Sequence, residues 1–370
     1  MLKILFVEDE PAHVQPVINS LDRDGGFETV VKDFRNAKST IKKMAPDIII
    51  LDLLAGDAAD PNIPGLKTYD WIWQERFCPL VIYSARPEAF TDERDSHPFV
   101  RVVQKGSKSV QQIKKAISGL QPHIEAVADT ESYVRKELAF ALRYVAPYAF
   151  EVFPSPSAAD KRKQVIVQAG RRRLAALMDD LSRHGTVLAS WEQYLCPPVS
   201  KHVCLGDVLR KAKGTKDDPT AFRVVLTPTC DMVKSDKRKA KVDNVLLARC
   251  CSVTTGVAST SLKNIGAKKL KDKLTSPILT QGYFENAVPF PELSGRIPHM
   301  MANLHDVELV PLKNIGEGRR LERVASVDSP FRELIAWAYI QLACRPGLPD
   351  RDINAWSNGI VDAYTAEKDK

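Results

Sequence analysis

Five apolar runs punctuate the first third of the chain: KILFV at 3–7, FETVVKDF at 27–34, DIIIL at 47–51, PLVIYS at 79–84 and VRVVQK at 100–105. Each is short, rich in aliphatic residues and bounded by charged or turn-forming residues, as strands buried on both sheet faces are. Between them lie amphipathic stretches such as NAKSTIKKMAP (36–46), GLKTYDWIWQER (65–76) and SKSVQQIKKAISGL (107–120), whose apolar positions follow the helical period. This alternation predicts parallel strands joined by right-handed crossovers, hence an α/β, doubly wound, five-stranded parallel sheet. Pro16 falls inside the first helix and should kink it or delay its start.

Beyond residue 120 the texture changes twice. QPHIEAVADTESYVRKELAFALRYVAPYAF reads as an amphipathic helix that Pro147 and then FPSPS (153–157) break. A second helix is expected over 160–185, with basic residues at both ends. From 187 short strands alternate with Pro, Gly and charged turns, as in VCLGDVLRKA, AFRVVLTPTCDMV, NVLLARCCSVTT and DVELVPLKNI, which predicts a small β-barrel or curled sheet. A closing helix lies in SVDSPFRELIAWAYIQLACRPGLPD (326–350), with Ser329 as its cap, Pro330 in its first turn, and Gly347 and Pro349 ending it. The expected organisation is therefore a doubly wound domain at 1–120, a helical connector at 121–186 and a mixed α+β domain at 187–370.

Composition adds a compartment and an asymmetry. No apolar run is long enough to span a bilayer, and MLKILFVEDE runs into acidic residues without a cleavage region, so a cytoplasmic protein with no membrane partner is expected. Seven cysteines without framework spacing fit a reducing compartment. Residues 1–120 hold 16 Lys/Arg and 17 Asp/Glu, whereas the whole chain holds 53 and 46, so all the basic excess lies beyond 120. Clusters at 161–173 and 234–241 make nucleic acid a candidate partner; a solvated basic face explains the same residues.

The chemistry gathers where the strands end. Glu8, Asp9 and Glu10 follow the first run, Asp52 the third, Ser84 ends the fourth and Lys105 the fifth. All are C-terminal strand ends, and in open α/β folds that rim binds ligands. Carboxylates brought together there repel unless a cation joins them, and oxygen donors suit Mg2+. A carboxylate can attack phosphorus to form an acyl phosphate, with a lysine and a hydroxyl holding the transferred oxygens.

On these residues the first 120 positions resemble the receiver domain of two-component response regulators, a flavodoxin-like fold. The resemblance implies Asp52 as phosphoacceptor, Asp9 as direct Mg2+ ligand with Glu8 acting through water, and the Leu54 carbonyl as a further ligand. It implies Ser84 as the switch hydroxyl and Lys105 as the phosphoryl-pairing lysine. The partner it implies is a sensor histidine kinase or other phosphohistidine protein, and receivers also pair as homodimers. Some positions depart from the family. The link from Asp52 to Gly65 is about five residues longer than usual and carries Asp57 and Asp60. Gly106 stands where a proline is usual, and Val102 stands where the aromatic switch residue is usual. Leu54 and Arg86 occupy the positions that steer water onto the acyl phosphate, which predicts slow autodephosphorylation.

The C-terminal region, from GDV through TPTCDM to SPFREL and RPGLPD, resembles an uncharacterised domain of receiver proteins in anti-phage systems of the Detocs type. A metal site from His202, Cys204, Cys230 and Asp231 has no CxxC pair to support it, and Cys230 has no base beside it; a buried cysteine beside a turn aspartate is the expectation. No enzymatic activity is indicated there. The function expected is phosphoryl acceptance on Asp52, as a signalling step or a phosphate sink in defence signalling. The alternative is a nucleic-acid-binding output protein controlled by phosphorylation.

Overall fold

The computed structural model describes residues 1–53, 64–87, 90, 97–180, 187–234, 238–344 and 350–368. The chain divides into two compact units, Met1–Gly185 and Thr186–Lys370. No helix among the described residues is long and apolar enough to cross a membrane.

The first unit opens with β1 (Leu2–Val7), α1 (Gln15–Asp24), β2 (Phe27–Lys32), α2 (Phe34–Met44), β3 (Ile48–Leu51), α3 (Pro64–Glu75), β4 (Leu80–Ser84) and β5 (Val100–Gln104). All five strands are parallel, in the order β2-β1-β3-β4-β5. This is the doubly wound, flavodoxin-like sheet that the alternating pattern predicts, and its order reverses between β1 and β3. Successive residues alternate between two buried layers: Ile4 and Phe6 pack with Ile18, Ile113 and Leu120, while Leu5 and Val7 pack with Ile41, Ile72 and Leu80. Pro16 delays the helix, which starts at Gln15 after a separate 3-10 turn at Pro11–His13. Asp33 caps α2, its Oδ1 accepting the Asn36 N–H at 2.7 Å.

The unit continues with α4 (Ser109–Val152) and α5 (Ala159–Met178). The break expected at 153–157 falls between these two helices, whereas the one expected at Pro147 does not occur. The last helix of the doubly wound domain and the first connector helix are one 44-residue helix that passes through residue 120, Pro122 and Pro147. Each proline removes one backbone hydrogen bond, and packing offsets the loss. Arg76 pairs with Glu131 at 3.1 Å, and Phe99 meets the edge of His123, so α4 stays on the sheet domain well past Pro122. Farther along, Ala141 and Ala149 are buried, and a Cβ on Gly170 of α5 would lie 3.2 Å from Leu142.

The second unit contains β6 (Tyr194–Leu195), β7 (Asp207–Lys211), β8 (Phe222–Val225), α6 (Thr229–Met232), β9 (Asn244–Cys251), α7 (Val253–Ala258), α8 (Ala267–Lys273) and α9 (Leu279–Gln281). It ends with β10 (Ala287–Phe290), β11 (Met300–Pro311), β12 (Leu321–Val327), α10 (Phe331–Ala343) and α11 (Ile353–Lys368). The strands form one antiparallel sheet ordered β10-β11-β9-β8-β7-β12-β6. No pairing joins β10 to β6 among the described residues, so the sheet is open and not a closed barrel. The helical stretch from Val253 to Gln281 interrupts what the sequence reads as strands and turns. One face of the sheet packs Phe222, Val224, Ala248 and Met300 against Ile335 and Ala338 of α10, and the other packs Leu209, Val225, Leu247 and Val310. Ser329 does not cap α10: the cap position is Pro330, with no side-chain cap bond. Gly347 and Pro349 lie outside the described residues.

Candidate functional site

At the C-terminal rim of the parallel sheet, backbone bonds set the strand ends side by side. Asp52 N–H donates to the Val7 carbonyl at 3.0 Å, and Lys105 N–H to the Ser84 carbonyl at 2.9 Å. Glu8 and Asp52 are 2% and 5% exposed, while Asp9 is more open. Lys105 donates its Nζ to Glu8 Oε2 at 2.5 Å and to Asp52 Oδ2 at 2.8 Å. The second Asp52 oxygen accepts the Leu53 N–H at 2.7 Å, and Glu8 Oε1 accepts the Glu10 N–H at 3.3 Å. Burial raises the Glu8 pKa above the ordinary glutamate value, against the lowering effect of the Lys105 hydrogen bond. For Lys105 burial works downward, and its bonds to Asp52 and Glu8 outweigh that and raise it.

Carboxylate oxygens of Glu8, Asp9 and Asp52 lie within 4.8 Å of one another. Three carboxylates and one ammonium leave a formal charge of −2 on oxygen-only donors, a donor set that fits a hard divalent cation such as Mg2+. Leu54, the further ligand that the family resemblance implies, and Asp57 and Asp60 lie outside the described residues. Ser84 is fully buried, its Oγ accepting the Arg86 N–H at 3.3 Å, and Arg86 itself is exposed. Val102 is 37% exposed on the edge strand β5.

Gly65 shows why the link from Asp52 must arrive on a glycine. A Cβ there would sit 2.4 Å from both the Asp52 carbonyl oxygen and Leu53 Cα, and its N–H donates to the Leu53 carbonyl at 3.1 Å. The start of α3 thus lies directly on the backbone that carries Asp52.

Two residues at the site escape the sequence reading. His13 sits between carboxylates, Nδ1 at 3.7 Å from Glu8 and Nε2 at 3.2 Å from Glu10. The HV that follows EDEPA offers no signal beyond proximity in the chain. Tyr83 is 4% exposed, its ring centroid 5.4 Å from Lys105 Nζ, and its O–H donates to Ser109 Oγ in the first turn of α4 at 3.0 Å. PLVIYS places it beside Ser84, and an unbroken buried strand gives no hint of which way its ring turns.

The other candidates fare differently. Among the described residues, Glu8, Asp9 and Asp52 are the one group of three or more His, Cys, Asp or Glu that could share an ion; His202, Cys204, Cys230 and Asp231 are not such a group. Cys230 is exposed, contrary to the buried position expected, with Sγ 3.5 Å from Asp231 Oδ1. The basic clusters are partly spent internally. Arg162 donates to the Phe153 and Ser155 carbonyls at 2.7 and 2.5 Å, and Arg173 lies 4.5 Å from the Tyr144 ring centroid. Arg238 donates to the Cys230 carbonyl, and Lys241 pairs with Asp231, each at 2.8 Å.

Fold and site together define a flavodoxin-like α/β domain with a lysine-bridged acidic cluster at its switch point, followed by an open antiparallel sheet. No family model and no curated protein matches the chain. Among solved structures it is similar to the N-terminal domain of a response regulator/sensory box/GGDEF protein from Carboxydothermus hydrogenoformans (24% identity, 34% of this chain and 98% of that one, TM-score 0.28). It is also similar to the response regulator TrrA from Thermotoga maritima, determined with Mg2+ and BeF (20%, 32% and 99%, TM-score 0.28). A third is the BeF3-activated receiver domain of RstA from Klebsiella pneumoniae (19%, 33% and 97%, TM-score 0.24).

Proposed function

We propose that this chain is a two-component response regulator whose Asp52 accepts a phosphoryl group from the phosphohistidine of a partner kinase. The observation that carries this reading is the Lys105 ammonium bridging Asp52 and Glu8, with Asp9 beside them, at the ends of β1, β3 and β5. In the step, an Asp52 oxygen attacks phosphorus, the P–N bond to the histidine breaks, and its electron pair stays on the imidazole. Lys105 neutralises the transferred oxygens, and the buried Ser84 hydroxyl stands at the next strand end to donate to one of them. Glu8, Asp9 and Asp52 would hold Mg2+, which when bound offsets charge on the phosphoryl oxygens.

We further read the protein as a phosphate sink in anti-phage defence signalling. Val102 supplies no aromatic switch, and by the resemblance Leu54 and Arg86 hold the positions that steer water, where an apolar side chain and a bulky cation would hinder in-line attack. The resemblance of the C-terminal region to Detocs-type proteins supplies the setting. The test is intact-mass spectrometry of wild type and Asp52→Asn with Mg2+ and a phosphohistidine donor or acetyl phosphate. A single phosphoryl adduct on wild type alone, persisting for hours, is expected. An adduct on both proteins, or none on either with both donors, overturns the reading; decay within seconds overturns the sink.

A further inference from the structure

Helix α11 gathers its large apolar residues into one stripe. Ile353, Trp356, Ile360 and Tyr364 fall at i, i+3, i+7 and i+11, with Val361 alongside, Asn358 and Asp362 opposite, and Glu367 at the C-terminal end of the stripe. The five apolar side chains are 57–69% exposed. A 16-residue helix that contains Gly359 and two asparagines does not hold its shape alone in water, so its helical form implies a surface that covers the stripe.

The same unit leaves a second apolar face open. In α10, Ile335 and Ala338 are buried against the sheet, while Trp337 and Ile340 are 55% and 53% exposed on the other side. Within one chain neither face covers the other. Two cations flank the stripe, Arg351 5.6 Å from the Trp356 ring centroid and Lys368 6.0 Å from that of Tyr364, and two do not make the basic face that an anionic membrane or a nucleic acid would need. What fits is another apolar helix face.

We propose that a second copy of this chain supplies it: α11 of one copy lies on the Trp337/Ile340 face of the other, and reciprocally about a two-fold axis. With roughly 100 Å² of open surface on each of seven large side chains, one copy contributes about 700 Å², close to the ~800 Å² per partner of a stable interface. The pairing is isologous, and each copy provides both halves of the contact. It is independent of the phosphoryl chemistry at Asp52.

The experiment is sedimentation velocity on the full chain from about 1 to about 50 µM, since mass action makes the dimer concentration-dependent. Three proteins are compared: wild type, Trp337→Glu, and the double variant Trp356→Glu/Ile360→Glu. All three sites are exposed, so unchanged thermal melts and phosphoryl uptake check that the fold is intact. Wild type should sediment as a dimer of the 41.2 kDa chain. Each variant should dissociate at least about 30-fold more readily, the effect of losing a central aromatic anchor. Mixing the two variants should restore dimer, because one intact α11 then meets one intact α10. A monomer throughout, a dimer unmoved by the variants, or variants that fail to rescue each other would overturn the proposal; the last result would be expected if α11 paired with α11 and α10 with α10.

Discussion

Lys105→Met keeps the length of the side chain and removes the one ammonium that ties Glu8 to Asp52. Both carboxylates are almost wholly buried, and with Asp9 their oxygens lie within 4.8 Å of one another. Two unit charges 4.8 Å apart repel by about 3.5 kcal/mol at an effective dielectric constant of ~20. Removing one partner of a buried pair costs about 3–5 kcal/mol in general, the same range. Lys105 is 16% exposed, so water trims the figure, and about 3 kcal/mol is the expected loss. The assay is hydrogen exchange on the amides of β1 and β3 in the full chain, which reads local opening without requiring both units to unfold together. A loss of about 3 kcal/mol corresponds to roughly 150-fold faster exchange. Saturating Mg2+ should return most of the protection, since the cation supplies the missing positive charge. Adding Asp52→Asn to Lys105→Met should also return protection, because it removes one of the repelling charges. Exchange within about threefold of wild type, or a loss that Asp52→Asn deepens, would refute the electrostatic account of the site.

Three further outcomes follow from the same geometry. Gly65→Ala should force the Asp52–Leu53 backbone to move, because the new Cβ would meet two backbone atoms at 2.4 Å; the rate of adduct formation by mass spectrometry should fall at least about tenfold, and an unchanged rate would refute the steric argument. Tyr83→Phe removes the hydroxyl that holds Ser109 and should cost about 1 kcal/mol, seen as roughly fivefold faster amide exchange in the first turn of α4. In the second unit, burial pushes the Glu308 pKa upward, but its bonds to Arg223 and Arg249 outweigh that and hold it below the ordinary 4.5. A depressed carboxylate contributes stability above its unfolded pKa and loses it as pH falls through the folded value. Glu308→Gln should therefore melt below wild type at neutral pH, with the gap closing in acid below 4.5.

What the sequence made legible is what local pattern alone determines. Five short apolar runs identify five strands because both faces of that sheet are covered, and a change from apolar to charged residues marks where each strand leaves it. Asp9, Asp52, Ser84 and Lys105 are visible for that reason. What was hidden depends on partners distant in the chain. Pro147 reads as a break, yet α4 runs through it, packed there against α5, with Leu142 beside Gly170 and the Arg173 guanidinium over Tyr144. Alternation identifies the strands of the second unit, but whether their sheet closes depends on a pairing between its ends that alternation does not encode.

Tyr83 shows the same limit at the site itself. The sequence drew attention to position 102 on β5, where the side chain is an exposed valine, and an output through an aromatic there has no ring to use. The fold instead places a buried ring one strand inward, between the Lys105 ammonium and the first turn of α4. Lys105 touches Asp52, Glu8 and this ring, while the tyrosine hydroxyl touches the residue that begins a 44-residue helix. Asp52 is thereby linked to α4 through Lys105 and Tyr83, by a residue whose neighbours in sequence do not reveal it.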